Sequence, residues 1–345
     1  MRLSLVICFL ISAISPVFAA SAPHYQLTHT FKLGGDGGWD YLAYDPAGKR
    51  LFISRATRVM VVDPEKGAVL AEIPNTPGVH GIALAQDLGK GFTSNGQEST
   101  VTVFDLKTLK ETARIKVTGQ GPDAILYDPA SQRVFTFNGH SDNSTVIDAT
   151  NDKVVGTIPL DGRPEFAAAD GAGHVYVNIE DKSELSAIDA RKMSVTATWS
   201  LAPCQEPSGL AMDAKDRRLF SGCDNKLMAV SDADQGKVIA TLPIGEGVDA
   251  CGFDPETQLA FSSNGHDGTL TVIHEDAPDT FSVVENAATQ KFARTMALNR
   301  DDHDVYLVTA DVKVTPAPAG ATGAAARPKR DVLPGSFTLL VMHRQ

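Results

Sequence analysis

Seven residues able to do ionic or hydrogen-bonding chemistry recur at one position of an internal repeat: Asp40, His80, Asp123, Glu165, Ser208, Asp249 and Arg294. If the repeat closes into a ring, four carboxylates, an imidazole, a hydroxyl and a guanidinium meet around one opening. A second set lies 15 residues further along several copies and includes Arg55, Asn138 with His140 nearby, and Asn264 with His266. Carboxylate and amide oxygens suit Ca²⁺ or Mg²⁺, which makes Asp123, Glu165, Asn138 and Asp249 candidate metal ligands. His80, His140 and His266 would favour a transition metal instead. Without an ion, the same residues offer a polar surface to a small polar ligand or a partner protein. Polar groups at such points also serve turns and hydrate a channel.

The element that must position them is a repeat about 42 residues long. One aromatic anchors each copy: Phe52, Phe92, Phe135, Tyr176, Phe220, Phe261 and Tyr306, at separations of 40, 43, 41, 44, 41 and 45. A second marker, Asp63, Asp105, Asp148, Asp189 and Asp232, closes a β-branched run at separations of 42, 43, 41 and 43. Each copy reads as four short strands joined by Asp, Pro, Gly and Asn turns. A period of this length with short strands predicts the blades of a propeller. The expected fold is therefore all-β: a seven-bladed β-propeller of four-stranded antiparallel blades. The last copy lacks a fourth strand, and Tyr25 to Leu33 is a spare one. The N-terminal strand is expected to close the ring by pairing in the last blade, which removes open edges. In a propeller, the residue leading into each innermost strand faces the channel mouth.

Residues 1–22 read as a cleaved signal peptide, with Arg2, an apolar run from Leu3 to Ile14, and small residues at Val17-Phe18-Ala19 and Ala20-Ser21-Ala22. Residues 23–345 then form a single propeller domain, and the protein is periplasmic or secreted. Residues 314–334, rich in Ala, Pro and Gly, read as a flexible insertion in the last blade, placed to act as a flap over one face. No later stretch approaches the roughly 18 apolar residues that a membrane span needs. The formal net charge is −11, which argues against nucleic acid as a partner. A monomer is expected.

The aromatic-x-x-Asn runs Phe92-Thr-Ser-Asn95, Phe135-Thr-Phe-Asn138 and Phe261-Ser-Ser-Asn264, followed by Val-Ile-Asp and by Val-Val-Gly-Thr-Ile-Pro, resemble the YVTN-repeat propellers. With the export signal, the chain looks like a YncE-like protein of the bacterial periplasm, over residues 25–345. Departures fall at Arg55, Cys223 and Thr309, and at Tyr176-Val-Asn178, where Asn comes one place early. The resemblance implies the fold and leaves function open, because the family is functionally diverse.

Of four cysteines, Cys8 falls in the signal segment. Cys204 precedes blade 5 and Cys223 follows its second strand, so both belong to one face of one blade. The expectation is a Cys204–Cys223 disulfide, with Cys251 buried and free. No Cys-x-x-Cys-His occurs, which excludes a covalently attached c-type haem. The leading functional reading is a non-enzymatic binding or scaffold protein acting through an acidic channel-mouth face. The alternative is a metal-dependent lactonase-like hydrolase. Calcium-dependent propeller lactonases are similar in the type of residues they bring to a channel mouth, and a channel histidine would then serve as base.

Overall fold

The computed structural model describes residues 24–318 and 329–345. The expected signal segment 1–22 and residues 319–328 of the insertion lie outside the described residues. Seven four-stranded antiparallel sheets form the ring. Blade 3 is typical, with strands A to D at Pro122–Asp128, Arg133–Asn138, Asn143–Asp148 and Lys153–Pro159. Blade 5 is built from Pro207–Asp213, Arg218–Cys223, Leu227–Asp232 and Val238–Pro243, and blade 6 from Val248–Asp254, Leu259–Asn264, Thr269–Ala277 and Thr280–Ala288.

Blade 7 takes its strands A to C from Met296–Asn299, Asp304–Thr309 and Thr338–Arg344, and its fourth from Tyr25–Lys32. The closing register runs antiparallel from Tyr25 opposite Arg344 to Lys32 opposite Thr338. Tyr25 is almost fully buried. Its ring meets Phe261 edge-on at 5.2 Å, and its hydroxyl donates to the His303 carbonyl at 3.0 Å. The N-terminal strand thus fastens blade 7 to blade 6 as well as closing it.

The repeated aromatics of strand B lie at 0–3% exposure and pack between blades. Phe52 reaches Phe104 of blade 2, and Phe220 stacks on Phe253 of blade 6 with Phe281 edge-on. The core is therefore a set of inter-blade layers, each anchored by one large ring. The recurrent Asp at the end of strand C caps the following turn. Asp63 Oδ1 accepts the amides of Glu65 and Lys66, and Asp189 and Asp232 repeat the pattern. Both sequence markers therefore have structural causes.

Part of the expected flexible insertion is ordered: Val312–Thr315 pairs antiparallel with Lys329–Val332 as a two-stranded ribbon. Alternating Val312 and Val314 supply the strand pattern that composition alone concealed. No helix among the described residues is long and apolar enough to cross a membrane.

Candidate functional site

Five of the seven mouth residues are aimed by a fault in the sheet. Strand A shifts register between Val79 and Ile82, Pro122 and Ile125, Pro164 and Ala167, Pro207 and Leu210, and Val248 and Ala250. His80, Asp123, Glu165, Ser208 and Asp249 fall inside those shifts. A bulge re-aims the side chain that it carries, so these residues leave the strict alternation of the strand.

A belt of side-chain donors then fixes the mouth backbone from blade to blade. Ser54 Oγ donates to the His80 carbonyl and Ser94 Oγ to that of Asp123. Asn178 Nδ2 holds the Ser208 carbonyl at 3.0 Å, and Ser208 Oγ holds that of Asp249 at 3.1 Å. Ser263 Oγ reaches the Arg294 carbonyl at 2.5 Å, and Thr295 Oγ1 that of Asp40 at 2.8 Å. Blade 3 has Phe137 at the serine position, so its neighbour Glu165 lacks this hold.

The side chains form an arc of alternating charge. Ser208 Oγ lies 2.9 Å from Asp249 Oδ1, and Asp249 pairs with Arg294. Arg294 Nη2 is 3.4 Å from Asp40 Oδ1, and Asp40 Oδ2 is 2.6 Å from His80 Nδ1. His80 Nδ1 is 3.6 Å from Asp123 Oδ1. The hydrogen bond that His80 Nδ1 donates to Asp40 raises the His80 pKa, and Asp123 adds to it. Burial and the nearby Asp40 push the Asp123 carboxyl up to about 6. Glu165 is pushed up to about 9 by burial and by a hydrogen bond with Glu180. Arg163 in turn pairs with Glu180 at 2.5 Å.

Asp40, His80, Asp123, Glu165, His140 and Arg294 line one cavity of about 590 Å³, together with Trp39, Gln97, Arg163 and several glycines. Tyr41 of blade 1 stacks on Phe166 of blade 4 at 4.3 Å, across the ring. Two buried donors in this region have no partner among the described residues: Trp39 Nε1 and Tyr41 Oη. An orphaned buried donor is uncommon and marks a place where a ligand or water supplies an acceptor.

Several expected site residues lie elsewhere. Arg55 is fully buried, bonded to the carbonyls of Gly35, Asp36 and Gly37 and stacked 3.5 Å from the Phe337 ring centroid. It braces the loop before blade 1, and its burial brings its pKa down to about 10. Asn138 is also fully buried, and its amide binds Asn143 Oδ1 at 2.7 Å and Thr145 Oγ1 at 3.1 Å. Asn95 and Asn264 pin their own hairpins in the same way. The candidate metal set Asp123, Glu165, Asn138 and Asp249 is therefore not assembled. The grouping the mouth does provide is Asp40, His80 and Asp123, with ligand atoms within 4.8 Å of one another. Arg294, His80 and Arg163 lie among the carboxylates of this face. His140 is exposed at the rim. His266 stands apart, 3.2 Å from Arg330 of the ribbon.

Cys204 and Cys223 form a disulfide with 5.5 Å between their Cα atoms. Cys251 is free and half-buried on a separate cavity wall beside Tyr44 and Met296. Burial pushes its thiol up to about 12. Sequence reasoning missed Trp39, Tyr41, Arg163 and Glu180 as site residues. It also missed the serine belt, whose trace is the Ser two places after the aromatic in Phe52-Ile-Ser54, Phe92-Thr-Ser94 and Phe261-Ser-Ser263.

No protein-family model matches the chain. The uncharacterised protein YncE of Salmonella typhi and that of Salmonella typhimurium are each 23% identical to it over 202 residues, which is 56% of this chain and 56% of theirs. The chain thus matches only about half the length of these curated relatives. Among solved structures, the RRP9 WD40 repeats superpose with a TM-score of 0.75 at 9% identity, covering 93% of this chain and 100% of that one. A chain of Kuenenia stuttgartiensis hydrazine synthase gives 0.69 at 16% identity, covering 78% and 92%. A chain of a mitotic checkpoint complex gives 0.73 at 12% identity, covering 99% and 98%. These likenesses establish the fold alone. Together, the match to YncE and the seven-bladed ring are consistent with a YncE-like propeller.

Proposed function

We propose that this chain is an exported binding protein whose channel-mouth cavity takes a polar ligand or a polar loop of a partner protein. The propeller fold is consistent with a binding or scaffold role. The observation that carries the reading is the cavity of about 590 Å³ lined by Trp39, whose buried indole donor is unmatched among the described residues. Its alternating charges suit a ligand with both positive and negative groups, such as a zwitterion or a peptide. The hydrolase alternative is not favoured. A general base must be unprotonated at working pH, and Asp40 holds His80 towards its protonated form. The Cys204–Cys223 disulfide supports export, since such bonds persist in oxidising compartments.

The test is a thermal-shift panel of amino acids, dipeptides, dicarboxylates and sugars on the wild type and on Arg294→Ala. At least one zwitterionic class is expected to raise Tm in the wild type and not in the variant. A panel with no shift, or with equal shifts in both proteins, would count against the mouth as a small-ligand site.

A further inference from the structure

On the opposite face, between blades 5 and 6, three carboxylates meet: Asp213 from the end of strand A of blade 5, Asp216 from the turn that follows it, and Glu275 from near the end of strand C of blade 6. Their oxygens lie within 4.8 Å of one another. Asp213 is 1% exposed and Glu275 4%. Asp213 Oδ2 and both Glu275 oxygens are buried with no hydrogen-bond partner. The other Asp213 oxygen accepts the Lys215 amide at 2.9 Å. Arg218 is close by, but its guanidinium is engaged by Asp232, Asp279 and the carbonyls of Arg217 and Pro278. Lys215 Nζ, on an exposed side chain, comes only within 3.9 Å of Asp216.

The repeat shows that Glu275 is a departure. Its amide donates to the Gln258 carbonyl at 2.9 Å, as Leu106, Ala149, Ala190 and Ala233 donate to Gly89, Gln132, Gly173 and Arg217. Those four equivalents are apolar and 0–5% exposed. Blade 6 therefore places a carboxylate in a slot that four other blades fill with a buried apolar side chain. Buried carboxylates facing one another need a compensating positive charge, and among the described residues Glu275 has no ion-pair partner: Arg218 acts on it only from a guanidinium engaged elsewhere.

We propose that Asp213, Asp216 and Glu275 bind one Ca²⁺ ion that clamps blade 5 to blade 6. The donor set is all oxygen, as a hard cation requires. Two ligands at about 2.4 Å from one Ca²⁺ can stand no more than about 4.8 Å apart, so the oxygens need no large rearrangement. Asp216 is partly exposed, which leaves a side open for the water ligands that complete the shell. The competing explanation is a proton shared by Glu275 and Asp213.

The test uses the protein stripped with EGTA and titrated with Ca²⁺ alone by calorimetry and thermal melting. One ion per chain is expected, with a Kd on the order of 10⁻⁴ M and a Tm rise of about 4 °C at 10 mM Ca²⁺. Glu275→Ala restores the residue that blades 3, 4 and 5 carry, so it is expected to fold, and to lose both the binding heat and the Tm rise. Asp123→Asn at the mouth should keep them. Three outcomes would overturn the site: no stoichiometric Ca²⁺ in the wild type, as a shared proton requires; binding that survives Glu275→Ala; or binding lost only in Asp123→Asn, which places the ion at the mouth.

Discussion

His80 is held by Asp40 on one side and Asp123 on the other, and Glu165 shares its environment with Glu180. Both groups have raised pKa values, and the sign of the consequence is the same. The native state keeps a proton that the unfolded chain releases at a lower pH. Glu165 therefore contributes stability that is complete below about pH 4.5 and lost as pH rises through about 9. The His80 contribution is complete below its ordinary pKa near 6.5 and lost above its raised one. Depressed carboxyls such as Asp189, near 2, have finished titrating before this window opens. Thermal midpoints from pH 5.5 to 8.5 should fall more steeply in wild type than in Glu165→Gln, and equal slopes would contradict the placement of that proton. At the belt, Ser94→Ala should cost about 1 kcal/mol in denaturant unfolding, because the Asp123 carbonyl loses its donor. A change within 0.2 kcal/mol would show that the bond contributes little.

The element scale shows what a sequence can carry. The blade count and the four-strand pattern follow from Phe52, Asp63 and their repeats, because periodic burial leaves a periodic trace, and closure follows from the spare strand Tyr25 to Leu33 beside a last copy that lacks one. The direction of individual side chains was less legible. Asn138 and Arg55 stand 15 residues after mouth positions and looked like ligands, but a hairpin can use an amide internally and a loop can use a guanidinium as a brace. The bulges that aim His80 and Asp123 are backbone events without a residue signature of their own. Contacts across the ring, such as Tyr41 on Phe166, join blades far apart in the chain, and no local pattern announces them. Two element-level outcomes follow. Tyr25→Ala should cost roughly 3–5 kcal/mol, since it empties a buried site that joins two blades, and a loss below 1 kcal/mol would contradict a closing role. Replacing both Cys204 and Cys223 by Ser should cost about 3 kcal/mol for a cross-link spanning 19 residues, read from urea unfolding. An unchanged midpoint would argue that the bond is not formed in the native protein.

As a whole molecule, the ring separates two kinds of charge. The mouth face interleaves Arg294, His80 and Arg163 with its carboxylates around a cavity, while the opposite face gathers Asp213, Asp216 and Glu275, with no ion pair to Asp213 or Glu275 among the described residues. A mouth that satisfies its charges internally has little to gain from a simple ion and more from a ligand that matches the alternation and reaches the unmatched donor of Trp39. Rigid blades keep that arrangement in place before binding, which limits the ordering cost of association. Only two tryptophans occur in the chain, Trp39 and Trp199, so Trp199→Phe leaves an emission that reports on the mouth alone. The most direct measurement is the fluorescence of that variant titrated with zwitterionic dipeptides. A saturable change in Trp39 emission is predicted, abolished by Arg294→Ala. No change with any dipeptide that raises Tm would place the ligand elsewhere and contradict the mouth as the binding site.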